Sequence, residues 1–124
     1  MTNRGLGSIN ATLLVTDIEK SRFFYESLLK LKVQYEFYDG RLICYSWGNS
    51  DEIILRISQV EEEELASLPK PLGTGVEFIL NVGRGYQYAP GSFEKHGYPF
   101  IWDGCLVAYD PDGYKWMLAG WFIT

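Results

Sequence analysis

The chain has 124 residues, of which 47% are hydrophobic and 22% are charged, a composition typical of a folded globular domain and not of a disordered segment. A chain of this mass buries roughly two thirds of its unfolded surface, which is enough for one core but not for two independent domains. The formal net charge of −5 argues against a nucleic-acid or anionic membrane partner. Neither a membrane-spanning run nor the apolar stretch of a secretory signal is recognisable, so we expect a cytoplasmic protein.

The first half of the chain predicts a strand, a helix and three further strands. Apolar and polar residues alternate from Ile9 to Val15, as in a half-buried strand. Asp17 is a suitable N-cap, and apolar residues at helical spacing predict an amphipathic helix over residues 18–31. Strands are then predicted over residues 33–38, 42–47 and 52–58, separated by turn residues.

A connector follows over residues 59–73. It contains four consecutive glutamates, Glu61 to Glu64, which we interpret as a solvated helical turn. Pro69 and Pro71 exclude a helix interior or a central strand immediately after it.

The pattern of the first half then recurs. Alternation predicts a strand over residues 76–82 whose apolar positions match those of the first strand. Glycines and Pro90 interrupt the region before Ser92, so only a helical turn over residues 92–97 is expected. Strands are predicted over residues 98–102, 105–109 and 114–122. The sequence therefore indicates a duplicated strand–helix–three-strand unit.

Three segments of this sequence resemble the vicinal oxygen chelate superfamily, which includes glyoxalase I, the bleomycin-resistance proteins and the extradiol dioxygenases. Residues 13–29 resemble its opening signature, with Asp17, Ser21, Phe24 and Tyr25 at the familiar spacing. Residues 73–77 resemble the start of its second module, and residues 110–116 resemble its final hairpin.

The resemblance implies an α+β fold of two tandem βαβββ modules, whose curved mixed sheets surround a concave cup. The modules would cover residues 8–58 and 74–124 of one domain, 1–124, with the second helix shortened. The resemblance also implies a homodimer, and it leaves open whether the cup forms within one chain or across two.

Enzymes of this superfamily hold a divalent metal with one side chain from the first and one from the last strand of each module. The resemblance places Asn10, Leu55, Glu77 and Met117 at these positions. Only Glu77 is a good ligand for a hard cation, and a shift of one residue would offer Arg56 or Trp116 instead. We therefore expect no metal, no other cofactor and no catalytic residue.

The cup itself is expected to bind a ligand. Strand alternation from the four positions above points Thr12, Ile57, Ile79, Lys115 and Trp121 into it, which gives apolar walls with a few polar groups. Glu77 would contact either the ligand or Lys115 in a salt bridge. Trp116 is expected in the core, whereas Trp47 and Trp102 would line the rim of the cavity or a dimer seam. The expected ligand-binding set is Asn10, Thr12, Trp47, Leu55, Glu77, Ile79, Trp102, Lys115, Met117 and Trp121.

Other reactive residues have plainer explanations. His96 is expected to be an exposed residue at the end of a helical turn. Cys44 and Cys105 are expected to be inert thiols within strands, and two such cysteines form neither a disulfide framework nor a zinc site.

Three functional hypotheses follow. The first is a metal-free binding protein of the bleomycin-resistance type that sequesters a planar or cationic aromatic compound, such as an antibiotic. The second is a lyase- or dioxygenase-like enzyme with rearranged metal ligands, or one that uses Glu77 as a general base. The third is a scaffold or regulatory protein whose cavity is filled by its own side chains. We favour the first.

Overall fold

The computed structural model describes residues 11–82, 89–102 and 104–119. In the first half, strand β1 (Ala11–Val15) leads into helix α1 (Ile18–Arg22), which continues as a π-helical segment (Phe23–Leu28). Strands β2 (Lys32–Phe37), β3 (Leu42–Ser46) and β4 (Leu55–Gln59) follow, and the connector contains helix α2 (Glu62–Leu65). The second half contains β5 (Glu77–Asn81), α3 (Ala89–Lys95), β6 (Ile101–Trp102), β7 (Leu106–Tyr109) and β8 (Lys115–Ala119).

Each half forms one four-stranded mixed sheet. The strand order is β1-β4-β3-β2 in the first sheet and β5-β8-β7-β6 in the second. In both sheets the first and last strands of the module are parallel neighbours, whereas the other pairs are antiparallel. The tandem βαβββ architecture and the α+β class are therefore confirmed.

The first helix begins at the predicted residue. The carboxylate of Asp17 accepts hydrogen bonds from the backbone N–H groups of Glu19 and Lys20, at 3.1 and 3.2 Å. From Phe23 the helix widens to π geometry, and it ends at Leu28. Lys30, which has a positive φ of 64°, then takes the chain out of the helix and into β2.

Helix α3, the helix of the second module, is longer than the predicted turn. It starts at Ala89, so that Pro90 and Gly91 lie in its first turn and not before it. Proline is compatible with this position because the N–H groups of a first helical turn have no intrahelical acceptor. The helix stops as predicted near Gly97, which has a φ of +65° and donates its N–H to the carbonyl of Glu94. Among the described helices, none has the length and apolar character needed to cross a membrane.

The core lies between the inner faces of the two sheets and the helices. The first sheet contributes residues such as Leu13, Ile43 and Ile57, and the second contributes residues such as Leu106 and Leu118. Phe24 of the π-helical segment contacts Phe93 of α3, with ring centroids 6.2 Å apart. Because one hydrophobic cluster includes residues of both halves, each sheet turns its other face away from a common core.

A buried polar network connects the two halves inside this core. The Tyr25 hydroxyl donates to the Asp110 carboxylate at 2.6 Å and accepts a hydrogen bond from the Trp116 indole N–H at 3.1 Å. The other Asp110 oxygen accepts from the backbone N–H groups of Asp112 and Tyr114. Every polar atom of the Asp110 side chain is therefore bound, which is what burial of a carboxylate requires.

A second set of hydrogen bonds continues this connection at the end of β1. The Asp112 carboxylate accepts hydrogen bonds from the backbone N–H and the hydroxyl of Thr16, at 3.0 and 2.7 Å. The Tyr114 hydroxyl donates to the carbonyl of Leu14. Gly73, at the end of the connector, packs so closely on this turn that a Cβ would lie 2.2 Å from the Tyr114 nitrogen. The residues that resemble the final hairpin of the superfamily thus join the two modules.

Burial raises the pKa of Asp110 above its ordinary value, although the hydrogen bonds from Tyr25 and from the backbone act in the opposite direction. Desolvation is the largest cause, and the neighbouring Asp112 carboxylate adds to it. The folded state therefore holds the Asp110 proton more tightly than the unfolded chain does.

Replacing Tyr25 with Phe should lower the free energy of unfolding by about 2 kcal/mol, because Asp110 and Trp116 each lose a buried hydrogen-bond partner. Urea denaturation followed by fluorescence measures this change. Tyr98→Phe is the matched control, since the Tyr98 hydroxyl makes a single exposed hydrogen bond to the Tyr109 carbonyl. Equal stability of the two variants would contradict a joining role for Tyr25.

The stability of the wild type relative to Asp110→Asn should decrease as the pH rises through the folded-state pKa of Asp110. The reason is that ionisation costs the folded state more than the unfolded chain, whereas asparagine does not titrate. Urea denaturation of both proteins at several pH values between about 3.5 and 7 measures the difference. A difference that is constant or that increases with pH would show that burial does not govern the titration of Asp110.

Candidate functional site

The candidate site lies on the outer faces of the sheets, opposite the core. In the first sheet, Ala11, Leu13 and Val15 of β1 face the core, so Thr12 and Leu14 face outward. The predicted orientation of Thr12 is confirmed, and its side chain is exposed. Asn10 lies outside the described residues.

Strand β4 presents a different face from the one predicted. Leu55 and Ile57 are buried in the core, with 2% and 0% of their surfaces exposed, so the expectation that they line the cup is wrong. Arg56 occupies the outer face instead. It pairs in register with Thr12, and its Nε donates to the Thr12 hydroxyl at 3.0 Å. Because successive side chains of a strand point to opposite faces, an error of one residue in the predicted position exchanges the inward-facing Leu55 for the outward-facing Arg56.

The outer face of the first sheet also carries two aromatic side chains that the sequence analysis did not assign to the site. A register shift between Val33 and Tyr35 places Tyr35 opposite Cys44, and Phe37 lies opposite Leu42. The rings of Tyr35 and Phe37 stack at 6.0 Å with an interplanar angle of 26°, and both are about half exposed. The irregularity at Gln34 breaks the simple alternation of β2, which is the signal on which such a prediction depends.

The outer face of the second sheet contains four of the ten expected ligand-binding residues. Glu77, Ile79, Lys115 and Met117 alternate with the buried side chains of Leu80, Trp116 and Leu118. The strand registers align Ile79, Met117, Val107 and Ile101 in one row across all four strands. Ile79 and Ile101 are 52% and 58% exposed, so this row is an exposed apolar strip.

Glu77 and Lys115 lie side by side at one end of this strip. They are register partners, and the Lys115 Nζ lies 3.3 Å from a Glu77 carboxylate oxygen. The salt bridge that the sequence left as one of two alternatives for Glu77 is therefore present. Because both side chains are partly exposed, solvent screening makes the pair a weak contributor to stability.

An open groove of about 490 Å³ begins at this ion pair. The connector forms one wall and the ends of strands β5, β7 and β8 form the other. Its lining includes Pro71, Thr74, Val76, Glu77, Tyr109 and Lys115. Tyr109 pairs with Lys115 across the strands and is about half exposed, so an aromatic ring lies beside the two charged groups. Such a combination of apolar walls and few polar groups is typical of small-molecule sites.

The tryptophans lie in different environments. Trp116 is in the core, as predicted, with its ring stacked on Phe78 at 4.9 Å. Trp47 packs against the core at the end of β3, and Trp102 shares the core-facing side with its register partner Leu106 at the edge of the second sheet. Neither lies on an outer face, because residue parity places them on the same side as Tyr45 and Leu106. Trp121 lies outside the described residues.

The lone histidine is exposed as expected, and the two cysteines are at least partly shielded from solvent. His96 is exposed just after α3 and makes an edge contact with Phe23, at 5.0 Å between ring centroids. Cys44 is buried, and Cys105 is partly buried.

The described residues do not provide a donor set for a divalent metal. Within residues 11–82, 89–102 and 104–119, no three His, Cys, Asp or Glu side chains cluster closely enough to hold an ion. Arg56 places a positive charge at the β4 position, Glu77 is paired with Lys115, and Met117 offers a soft thioether. These side chains do not fit the metal that the superfamily resemblance implies.

Comparison with known proteins places the fold. No protein-family model matches the sequence, and no curated protein is significantly similar to it. The trypanothione-dependent glyoxalase I of Leishmania major is similar in structure, with a TM-score of 0.69 and 19% identity over 96% of this chain and 87% of that one. The fosfomycin resistance protein FosX of Listeria monocytogenes gives a TM-score of 0.66 and 15% identity over 92% and 90% of the two chains.

A protein of unknown function from Agrobacterium tumefaciens is also similar, with a TM-score of 0.68 and 20% identity over 95% of this chain and 96% of that one. At these identities the likeness concerns the fold. The chain therefore has the fold of the vicinal oxygen chelate superfamily, and the predicted resemblance is confirmed at that level.

Addition of Mg²⁺, Ni²⁺ or Zn²⁺ should not raise the melting temperature of the protein, because the described residues provide no donor set for these ions. An ion that did bind would stabilise the folded state by mass action and raise the melting temperature. Glu77→Gln is the informative variant, since it removes the one hard ligand at the implied positions. Its own effect on the free energy of unfolding should stay below about 1 kcal/mol. A metal-induced thermal shift in the wild type that disappears in Glu77→Gln would overturn our interpretation of the site.

Proposed function

We propose that the protein is a metal-free small-molecule-binding protein of the glyoxalase/bleomycin-resistance type, acting in the cytoplasm on a planar aromatic compound such as an antibiotic. The observation that carries this proposal is the exposed apolar row of Ile79, Met117, Val107 and Ile101. An outer sheet face in contact with water ordinarily carries polar side chains, and a continuous apolar strip marks a binding surface. A flat ring system would bury this strip and reach the adjoining groove.

The Glu77–Lys115 ion pair at the end of the strip affects which ligand charge this surface would favour. The expectation of a cationic ligand depended on the acidic net charge and on Glu77. Lys115 already balances the Glu77 charge locally, at 3.3 Å. We therefore propose that this surface selects its ligand by planar shape. The Glu77–Lys115 pair would supply hydrogen-bonding groups at the edge of the surface.

A homodimer is part of the proposal. Both sheets contribute their inner faces to one core, so the outer face of each sheet lies on the side opposite that core. We propose that a second chain closes the cup, with a first-sheet face of one chain opposite a second-sheet face of the other. The exposed apolar strip of one chain would be covered by the first sheet of its partner, with the ligand between them.

The enzymatic alternative has weaker support. Glu77 as a general base needs a carboxylate that is free to take a proton from a substrate, whereas this one is held by Lys115. In the described part of the chain, the groove beside it contains neither a histidine nor a cysteine.

Replacing Ile79 with Asp should weaken the binding of planar aromatic compounds by about tenfold or more, because a charge would interrupt the apolar strip. Tryptophan fluorescence and thermal shift with a panel of acidic, neutral and cationic aromatic compounds, including bleomycin-type antibiotics, measure the affinity. Leu68→Asp in the connector is the control for an added charge. Failure of every compound to bind the wild type, or equal binding by both variants, would refute the proposal.

A further inference from the structure

The outer face of the first sheet carries a positive charge without a described counter-charge. Arg56 is half-buried, and its Nε is engaged by the neutral hydroxyl of Thr12. In the part of the chain that the structure describes, no carboxylate lies within salt-bridge distance of its guanidinium. Arginine in a partly desolvated position is stabilised by an anion, and its planar fork matches a carboxylate or phosphate oxygen pair.

The bond to Thr12 also limits the orientation of the guanidinium. Nε is directed toward Thr12 of β1, and no acceptor among the described residues is hydrogen-bonded to the two terminal NH₂ groups. The Arg56 side chain is thus held in place by a contact that does not neutralise it.

An aromatic platform lies in the same row of the sheet. Tyr35 pairs with Cys44, Cys44 pairs with Arg56, and Arg56 pairs with Thr12, so their side chains share the outer face. Cys44 is small and buried, so the accessible groups of the row are Tyr35 on one side and Arg56 with Thr12 on the other. Tyr35 and Arg56 are two strands apart, about 10 Å between their Cα atoms. That distance matches a planar ring with one acidic substituent.

From this juxtaposition we infer that the ligand of this protein is a planar aromatic anion, with its ring stacked on Tyr35 and its acidic group bound by Arg56. The inference rests on the proposed function, because it assigns a ligand class to the same cup. It replaces the expectation of a cationic ligand.

Three probes of one shape test it: 2-naphthoate, 2-naphthamide and 2-naphthylmethylammonium. In calorimetric titrations with the wild type, the acid should bind more tightly than the amide, and the ammonium compound should bind most weakly. In Arg56→Gln the affinity for the acid should decrease on the order of tenfold or more, whereas the affinity for the amide should change little. Tyr35→Ala should weaken all three.

Lys95→Gln, which removes an exposed positive charge at the end of α3, is the matched control and should leave every affinity unchanged. Thr12→Val offers a second, smaller change, and it should lower the affinity for the acid alone. The expected results with Arg56→Gln and with Thr12→Val together support the inference, whether or not Arg56→Gln has a reduced melting temperature.

Two results overturn the inference and leave the proposed function intact: binding of the ammonium compound as tight as that of the acid, or an acid-to-amide ratio unaffected by both Arg56→Gln and Thr12→Val. If none of the three probes binds, the inference is overturned, and the proposed function is then decided by the wider panel of aromatic compounds described above.

Discussion

The hydrogen bond between the Tyr25 hydroxyl and the buried Asp110 carboxylate joins the two modules inside one core. This contact connects the helical segment of the first module to the turn before the last strand of the second. It also satisfies a charge that the core would otherwise not tolerate, together with two backbone N–H groups. The inner faces of both sheets contribute to that core, and the proposed binding surface consists of side chains on the opposite faces.

Those outer faces have different chemistry. The first sheet presents Arg56, Thr12 and the stacked rings of Tyr35 and Phe37, whereas the second presents an apolar strip bordered by the Glu77–Lys115 pair. The charges of the second face balance each other locally, but the Arg56 charge has no described carboxylate beside it. In the proposed cup, the electrostatic preference for a ligand would be set by this arginine and not by the acidic net charge of the whole chain.

The sequence was sufficient for the architecture, since β1 and β5 alternate cleanly and Asp17 is an unambiguous N-cap. It was insufficient to predict which side chains of β2 and β4 face the core. Residues 53–55 are three consecutive apolar residues, so hydrophobicity alone does not say which of them faces the core, and a choice wrong by one residue exchanged Leu55 for Arg56. In β2 the irregularity at Gln34 breaks the alternation, which concealed Tyr35. Pro90 was read as a breaker although it is compatible with a first helical turn.

The orientation of β4 in the structure shows which side chains occupy the positions at which the resemblance implies metal ligands. Leu55 pairs with Ala11 and Trp116 pairs with Phe78, so Arg56 and Met117 are the corresponding outward positions of the two modules. The superfamily resemblance implies a metal cation at this place that attracts the oxygen atoms of a substrate. Here a guanidinium, covalently part of β4, occupies one of the corresponding positions and has the same sign of charge. It can attract an oxyanion without acting as a Lewis acid, because its charge is spread over a planar group that donates hydrogen bonds and accepts no lone pair. This chemistry supports the proposed binding of an anionic aromatic ligand.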